Sequence, residues 1–191
     1  MKSKIAIVLG SIRIGRESHK VGELLHKKLS ENENIESVLL DLATYDLPMM
    51  EQTSGHQPPH EGLLKFSQNL KRADGMIFIS PEYNGSYTGV FKNAIDYFWK
   101  EFDKKPIGAV TISTGKFGGI TASIQMQHLI LALGAYAMPK KLLFPFVKKS
   151  FDEQGNLVDE KMEKEVGDFL GELIWLTEAI SMKKSKESAG N

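Results

Sequence analysis

Short apolar runs alternate along this chain with longer stretches whose apolar residues return every three or four positions. Residues 5–10 (Ile-Ala-Ile-Val-Leu-Gly) form a continuous apolar run, and Val21, Leu24, Leu25 and Leu29 follow at i, i+3, i+4 and i+8. The run predicts a buried strand and the spacing after it an amphipathic helix. The couple then recurs. Residues 35–42 predict a second strand, and residues 62–72 a helix with Leu63, Phe66 and Leu70 on one face. Residues 74–80 predict a third strand, 90–102 a helix, 107–113 a fourth strand and 120–133 a further helix. Residues 136–147 hold a short fifth strand broken by Pro139 and Pro145, which suits a sheet edge. Residues 158–180 close the pattern as a helix. The stretch 44–62, rich in Pro, Gly, His and Gln, reads as a long surface loop. Strands alternating with helices predict an α/β fold with a doubly wound parallel five-stranded sheet in the order 2-1-3-4-5. Residues 1–180 make one domain, and residues 181–191, with four charges, serines and a glycine, make a disordered tail.

Two loops of this pattern carry candidate chemistry. The first strand runs into Ser11-Ile12-Arg13-Ile14-Gly15-Arg16-Glu17-Ser18. A Gly/Ser-bearing loop that opens a helix favours an anion, because unpaired amides and the helix dipole point at it. Ser18 is placed either to cap the helix or to bond a phosphate, and Arg13 and Arg16 add charge that can grip phosphate oxygens bidentately. Neither Gly-Lys-Ser/Thr nor Gly-x-Gly-x-x-Gly is present. The alternative reading is an ordinary strand–helix turn with solvated arginines. The third strand runs into Pro81-Glu82-Tyr83-Asn84-Gly85-Ser86-Tyr87-Thr88-Gly89. Ligands of parallel sheets sit beyond the carboxyl ends of the strands. There, one aromatic ring, one amide and close-approaching glycines suit a flat ring with a polar edge.

Gly10-Ser11-Ile12-Arg13, Pro81-Glu82-Tyr83-Asn84-Gly85-Ser86 and Lys92-Asn93-Ala94-Ile95-Asp96 together resemble the NAD(P)H-dependent FMN reductase family. The resemblance covers roughly residues 4–180. It implies a flavodoxin-like fold, FMN as cofactor and NAD(P)H as co-substrate, with hydride passed in ping-pong order to an acceptor: quinone, azo compound, metal oxyanion or free flavin. The residues so assigned to FMN are Ser11, Arg13 and Ser18 in the first loop and Pro81, Glu82, Tyr83, Asn84 and Gly85 in the second. A third set, Ser113, Thr114, Gly115 and Gly118, follows the fourth strand, where amides could bond the ring edge and a positive dipole could stabilise the reduced anion. No catalytic side chain is required. One position departs from the family, which usually has proline before the glycine that opens the helix; here it is Thr88, itself a competent cap. The alternative functions are a flavodoxin-like electron carrier without its own reductase activity, and a flavin-free phosphate-binding module.

Composition narrows the partners. Lys+Arg and Asp+Glu both number 24, so the chain lacks the positive field that nucleic acid or an anionic membrane needs. With no cysteine there is no thiol chemistry or thiolate metal site. The histidines show no metal spacing beyond His56 and His60, four apart in a proline-bearing loop, and no metal is expected. Lys2 and Lys4 precede only a strand-length apolar run, so a cytoplasmic enzyme is expected. Lys92, Asn93 and Asp96 are expected to hold their helix to the sheet. Tyr97, Phe98, Trp99 and Phe102 exceed what one helix face can bury, which predicts an interface near Trp99 in a homodimer or homotetramer. The resemblance likewise implies that a partner subunit helps wall the flavin site.

Overall fold

The computed structural model describes residues 2–51 and 60–189. Its sheet runs β2 (Ile35–Asp41), β1 (Ser3–Leu9), β3 (Gly75–Pro81), β4 (Pro106–Ile112) and β5 (Tyr136–Ala137), all parallel, with β6 (Leu142–Phe144) also pairing with β4. The helices are α1 (Ser18–Ser30), α2 (Glu61–Arg72), α3 (Gly89–Asp96), α4 (Ile120–Ala132) and α5 (Glu160–Ala189). The expected flavodoxin-like order is therefore present.

The period of two along each strand divides the core. Ala6, Val8, Met76, Phe78 and Ala109 pack with α2, α3 and α4 on one face. Ile5, Ile7, Leu9, Ile77, Ile79 and Val110 pack with α1 and α5 on the other. A strand covered on both sides must be apolar throughout, which is why these runs show no alternation in the sequence. Phe78 is fully buried and meets Phe91 and Phe102 edge-on, at centroid distances of 5.1 and 6.0 Å. Burying each such ring stabilises the fold by roughly 1.5–3 kcal/mol.

Three segments differ from expectation. α3 stops at Asp96, and residues 97–104 continue as turns. Glu101, itself buried, accepts the Trp99 N–H (3.2 Å) and the Ser67 hydroxyl (2.8 Å), drawing the backbone out of helical pairing. The turns fold Tyr97, Phe98 and Phe102 inward, leaving Trp99 as the exposed ring of the four. The supposed aromatic surplus is thus largely core. The fifth strand is two short pieces, since Pro139 interrupts the ladder between them. α5 does not end at Ile180: the expected loose tail is helical to Ala189, in a segment of good helix formers with an i,i+4 pair between Lys183 and Glu187 (3.3 Å).

The expected surface loop over residues 44–62 is only partly a surface. Tyr45 and Leu47 pack against the core, and Asn93 clasps the segment by donating to Pro48 O (2.8 Å) and accepting from Met50 N (2.9 Å). Asn93 thus ties α3 to this loop rather than to the sheet, while Lys92 and Asp96 pair with each other along α3. His56 lies outside the described residues, and His60 caps α2 by accepting from Leu63 N (3.4 Å). Among the described residues no helix is long and apolar enough to cross a membrane.

Lys105 closes the other end of α2. All but buried, it donates to Leu70 O (2.7 Å) and Lys71 O (3.1 Å) in the last turn, where Leu70 O also accepts the capping Ala73 N–H (3.3 Å). Burial pushes its ammonium down to about 8 from 10.5; Lys184 adds repulsion, and Asp74 and Glu101 oppose the shift. Between those values the unfolded chain holds more protons at this residue than the folded one, so its contribution to stability rises with pH across that window. Urea melts of wild type and Lys105→Met at about pH 7 and about pH 10 check this. The stability of wild type relative to the variant should grow with pH; a flat difference would mean an ordinary lysine.

Candidate functional site

The register of the sheet brings three loops together at its carboxyl edge. Leu9 lies opposite Ile79 and Pro81 opposite Ile112, so the loops after β1, β3 and β4 begin side by side. Gly10 N donates to Ile79 O at 2.7 Å. A Cβ at Gly10 would stand 2.8 Å from both that oxygen and the Phe91 ring, so no other residue fits there without displacing α3.

The first loop has the parts of an anion site. Ser11 is buried, with its Oγ accepting from Arg13 N (3.4 Å), and Gly15 turns the chain at a φ of 73°. The amides of Ser11, Ile12, Ile14 and Gly15 have no partner among the described residues. Ser18 opens α1 but does not cap it: Glu17 occupies the cap position, its carboxylate paired with Lys20 (2.9 Å), and makes no side-chain capping bond. The Ser18 Oγ is buried without a hydrogen-bond partner among the described residues. A hydroxyl so placed is costly unless something bonds it. The two arginines part company. Arg16 reaches across to an ion pair with Asp41 at the end of β2 and is largely shielded by it, whereas Arg13 is exposed with no acidic partner among the described residues.

The second loop is a tight reversal. Tyr83 N donates to Ser86 O (2.8 Å) and Ser86 N to Tyr83 O (3.1 Å), with Asn84 and Gly85 both at positive φ, 51° and 78°. Two left-handed residues in a two-residue turn make a type I′ reversal, the conformation that Asn-Gly adopts most readily. The turn holds the Asn84 side chain and the Tyr83 ring out at the edge, both exposed. Glu82 anchors the loop from beneath: its N–H donates to Ile112 O (3.1 Å) and its carboxylate accepts from Ala122 N (3.0 Å) in the first turn of α4. Thr88 closes the loop. Its N–H donates to Ser80 Oγ (3.1 Å), its hydroxyl donates to Gly10 O, and its Oγ1 accepts from Phe91 N (3.2 Å) to cap α3.

The third loop offers fewer free groups than its glycines suggest. Ser113 N donates to Phe144 O (3.0 Å), Gly115 N to Ser113 Oγ (3.0 Å) and Phe146 N to Gly115 O (3.1 Å). Gly118 lies buried under the loop, its carbonyl held by Thr111 Oγ1 (2.9 Å), and shapes the turn rather than facing the edge. Among the described residues the amides of Thr114, Lys116 and Phe117 are without partners. Glu82 places a negative charge at the start of α4 and offsets the positive dipole expected there.

Sequence reasoning therefore placed Ser11, Arg13, Ser18, Pro81, Glu82, Tyr83, Asn84, Gly85, Ser113, Thr114 and Gly115 at one edge, where the structure has them, with Gly118 behind. It missed Thr88 as the link between two loops, and it left Arg16 undecided. The sign of the first was present in the sequence: a hydroxyl residue standing in the loop just ahead of a helical run.

A family profile described as NADPH-dependent FMN reductase matches residues 3–149. An NAD(P)H-dependent FMN reductase of Nectria sp is 34% identical over 154 residues, 75% of this chain and 76% of that one. A quinone reductase of Pseudomonas putida is 29% identical over 163 residues, 82% of this chain and 85% of its own length. Among solved structures, a flavoenzyme NAD(P)H:(acceptor) oxidoreductase from Paracoccus denitrificans superposes with a TM-score of 0.76 at 27% identity, covering 92% of this chain and 98% of that one.

The orphan hydroxyl yields a test that separates binding from folding. Ser18→Ala removes a buried group with no bond in the protein alone, so the ligand-free variant should melt at or above the wild-type temperature. Its affinity for FMN should nonetheless fall, by the worth of a hydrogen bond to a charged group, roughly 1.5–3 kcal/mol. Thermal melts of the apoprotein and a fluorescence titration with FMN check both halves. A destabilised apoprotein would show that the hydroxyl serves the fold.

Proposed function

Since the chain belongs to the NADPH-dependent FMN reductase family, we propose that its FMN phosphate is held by the β1–α1 loop and its ring edge by the loops after β3 and β4. The observation that carries this is the buried, unpartnered Ser18 hydroxyl beside free loop amides and the uncommitted Arg13 guanidinium. That donor set suits a phosphate dianion: hydroxyls and amides supply directed hydrogen bonds, and Arg13 supplies full charge. Ser11, Arg13 and Ser18 grip the phosphate. Tyr83, Asn84 and Gly85 meet the ring with one aromatic face, one amide and an approach unhindered by a Cβ. Thr114 offers an amide from the far side, with Ser113 and Gly115 fixing its position. Pro81 and Glu82 hold the loop in place, Glu82 through α4.

Bound FMN supplies the hydride chemistry, accepting from NAD(P)H and delivering to an acceptor. The chain's own part is to anchor, orient and leave one ring face open. A single open face admits NAD(P)H and then the acceptor in turn, which is ping-pong order. Quinones, azo compounds, metal oxyanions and free flavin are the acceptor classes a flat, open site admits. We place the enzyme in the cytoplasm and read the chain as one domain that includes the whole of α5. We also propose self-association as a homodimer or homotetramer, with Trp99, 70% exposed, at or near the contact.

Arg13→Ala tests the phosphate assignment. Losing one charge-assisted hydrogen bond of about 1.5–3 kcal/mol weakens FMN binding roughly ten- to hundredfold. The variant should purify pale and recover activity with added FMN; an unchanged affinity would make Arg13 a surface charge. NAD(P)H alone should bleach the wild-type flavin, whereas a pure electron carrier would stay yellow. For assembly, sedimentation of wild type against Trp99→Glu decides. A wild-type monomer at micromolar concentration rejects self-association, and a variant that stays oligomeric moves the contact elsewhere.

A further inference from the structure

We infer that Thr88 is a positioning residue that sets the phosphate grip from the opposite loop and couples it to the ring site. Thr88 is 2% exposed and lies in the loop after β3, 78 residues from Gly10, yet its hydroxyl donates to the Gly10 carbonyl. The same oxygen accepts from Phe91 N, and the Thr88 N–H is held by Ser80 Oγ. The hydroxyl is therefore oriented from several sides and has little freedom to turn away. Its effect on Gly10 follows from the geometry of the peptide bond. The Gly10–Ser11 peptide is trans, so its N–H lies on the side opposite its carbonyl oxygen. Fixing the Gly10 oxygen toward Thr88 directs the Ser11 N–H away from Thr88 and the start of α3, to the side left for a ligand of the β1–α1 loop on the flavin reading. That amide has no partner among the described residues.

The Gly10 N–H is already committed to Ile79 O, and the absence of a Cβ lets the peptide lie flat against β3 and α3. With both sides of Gly10 tied to the β3–α3 unit, the first amide of the phosphate loop is carried by the element that carries Asn84. Movement at one site is then transmitted to the other through two hydrogen bonds, not through the long chain between them.

The inference rests on the flavin reading, and its test separates the two. Apoprotein is titrated with FMN and with riboflavin, which has the ring and lacks the phosphate. In wild type the ratio of the two dissociation constants reports the phosphate grip; a ratio near one would sink the flavin-phosphate reading itself. Thr88→Val keeps the shape and removes the hydroxyl, and should lower that ratio about tenfold, the loss expected for one misdirected bond to an anion. Thr88→Ser should restore it. A Thr88→Val protein that loses FMN and riboflavin equally, or neither, overturns the inference while leaving the flavin reading in place. Should that variant not fold, hydrogen exchange on wild type decides: FMN must protect residues 82–92 more than saturating riboflavin does, and equal protection overturns the coupling.

Discussion

The closeness of β1 to β3 at Gly10 is the constraint on which the functional edge depends. A 2.7 Å hydrogen bond to Ile79 O and the lack of space for a Cβ bring the first loop against the third strand and α3. Everything beyond that point inherits the contact. The β1–α1 loop leaves from a peptide fixed on both sides, the Asn84–Gly85 reversal projects from the neighbouring strand, and Glu82 ties that reversal to α4. Three loops far apart in sequence thus behave as one surface because each is bonded at its root, while their tips keep unpaired donors.

The fold was largely legible because its strands are buried on both faces. Such strands appear as continuous apolar runs, and runs such as residues 5–10 and 107–113 are hard to mistake once helical spacing follows them. The failures share a cause. Residues 97–104 have helical composition, but the Glu101 carboxylate competes for the Trp99 N–H, and a side chain satisfying backbone from two positions away leaves no periodic trace. The role of Asn93 leaves no local mark in the sequence, since its partners, Pro48 and Met50, lie over forty residues away in a polar loop. α5 runs past Ile180 because the lysines and glutamate that give its tail a loose, charged look are good helix formers.

The site was legible at the level of which loops matter, and less so for which atoms are free. Residue type shows what a side chain can donate or accept. Whether it still has that capacity depends on partners the sequence does not show. Ser113 and Gly115 have much of theirs engaged within the loop, Glu82 is turned to a helix end, and Ser18 alone among the predicted hydroxyls keeps a buried oxygen unbonded. Family membership adds the identity of the ligand to a geometry that by itself shows only unpaired donors beside an exposed aromatic ring and an exposed amide.

The Arg16–Asp41 pair has an electrostatic consequence. Of two arginines in the β1–α1 loop, one is paired internally, and the chain as a whole carries 24 positive and 24 negative residues. The net charge of the chain therefore adds no overall attraction for an anion. That leaves Arg13, exposed and without an acidic partner among the described residues, as the charge the loop can still offer, and an exposed charge acts only over the short range that salt allows.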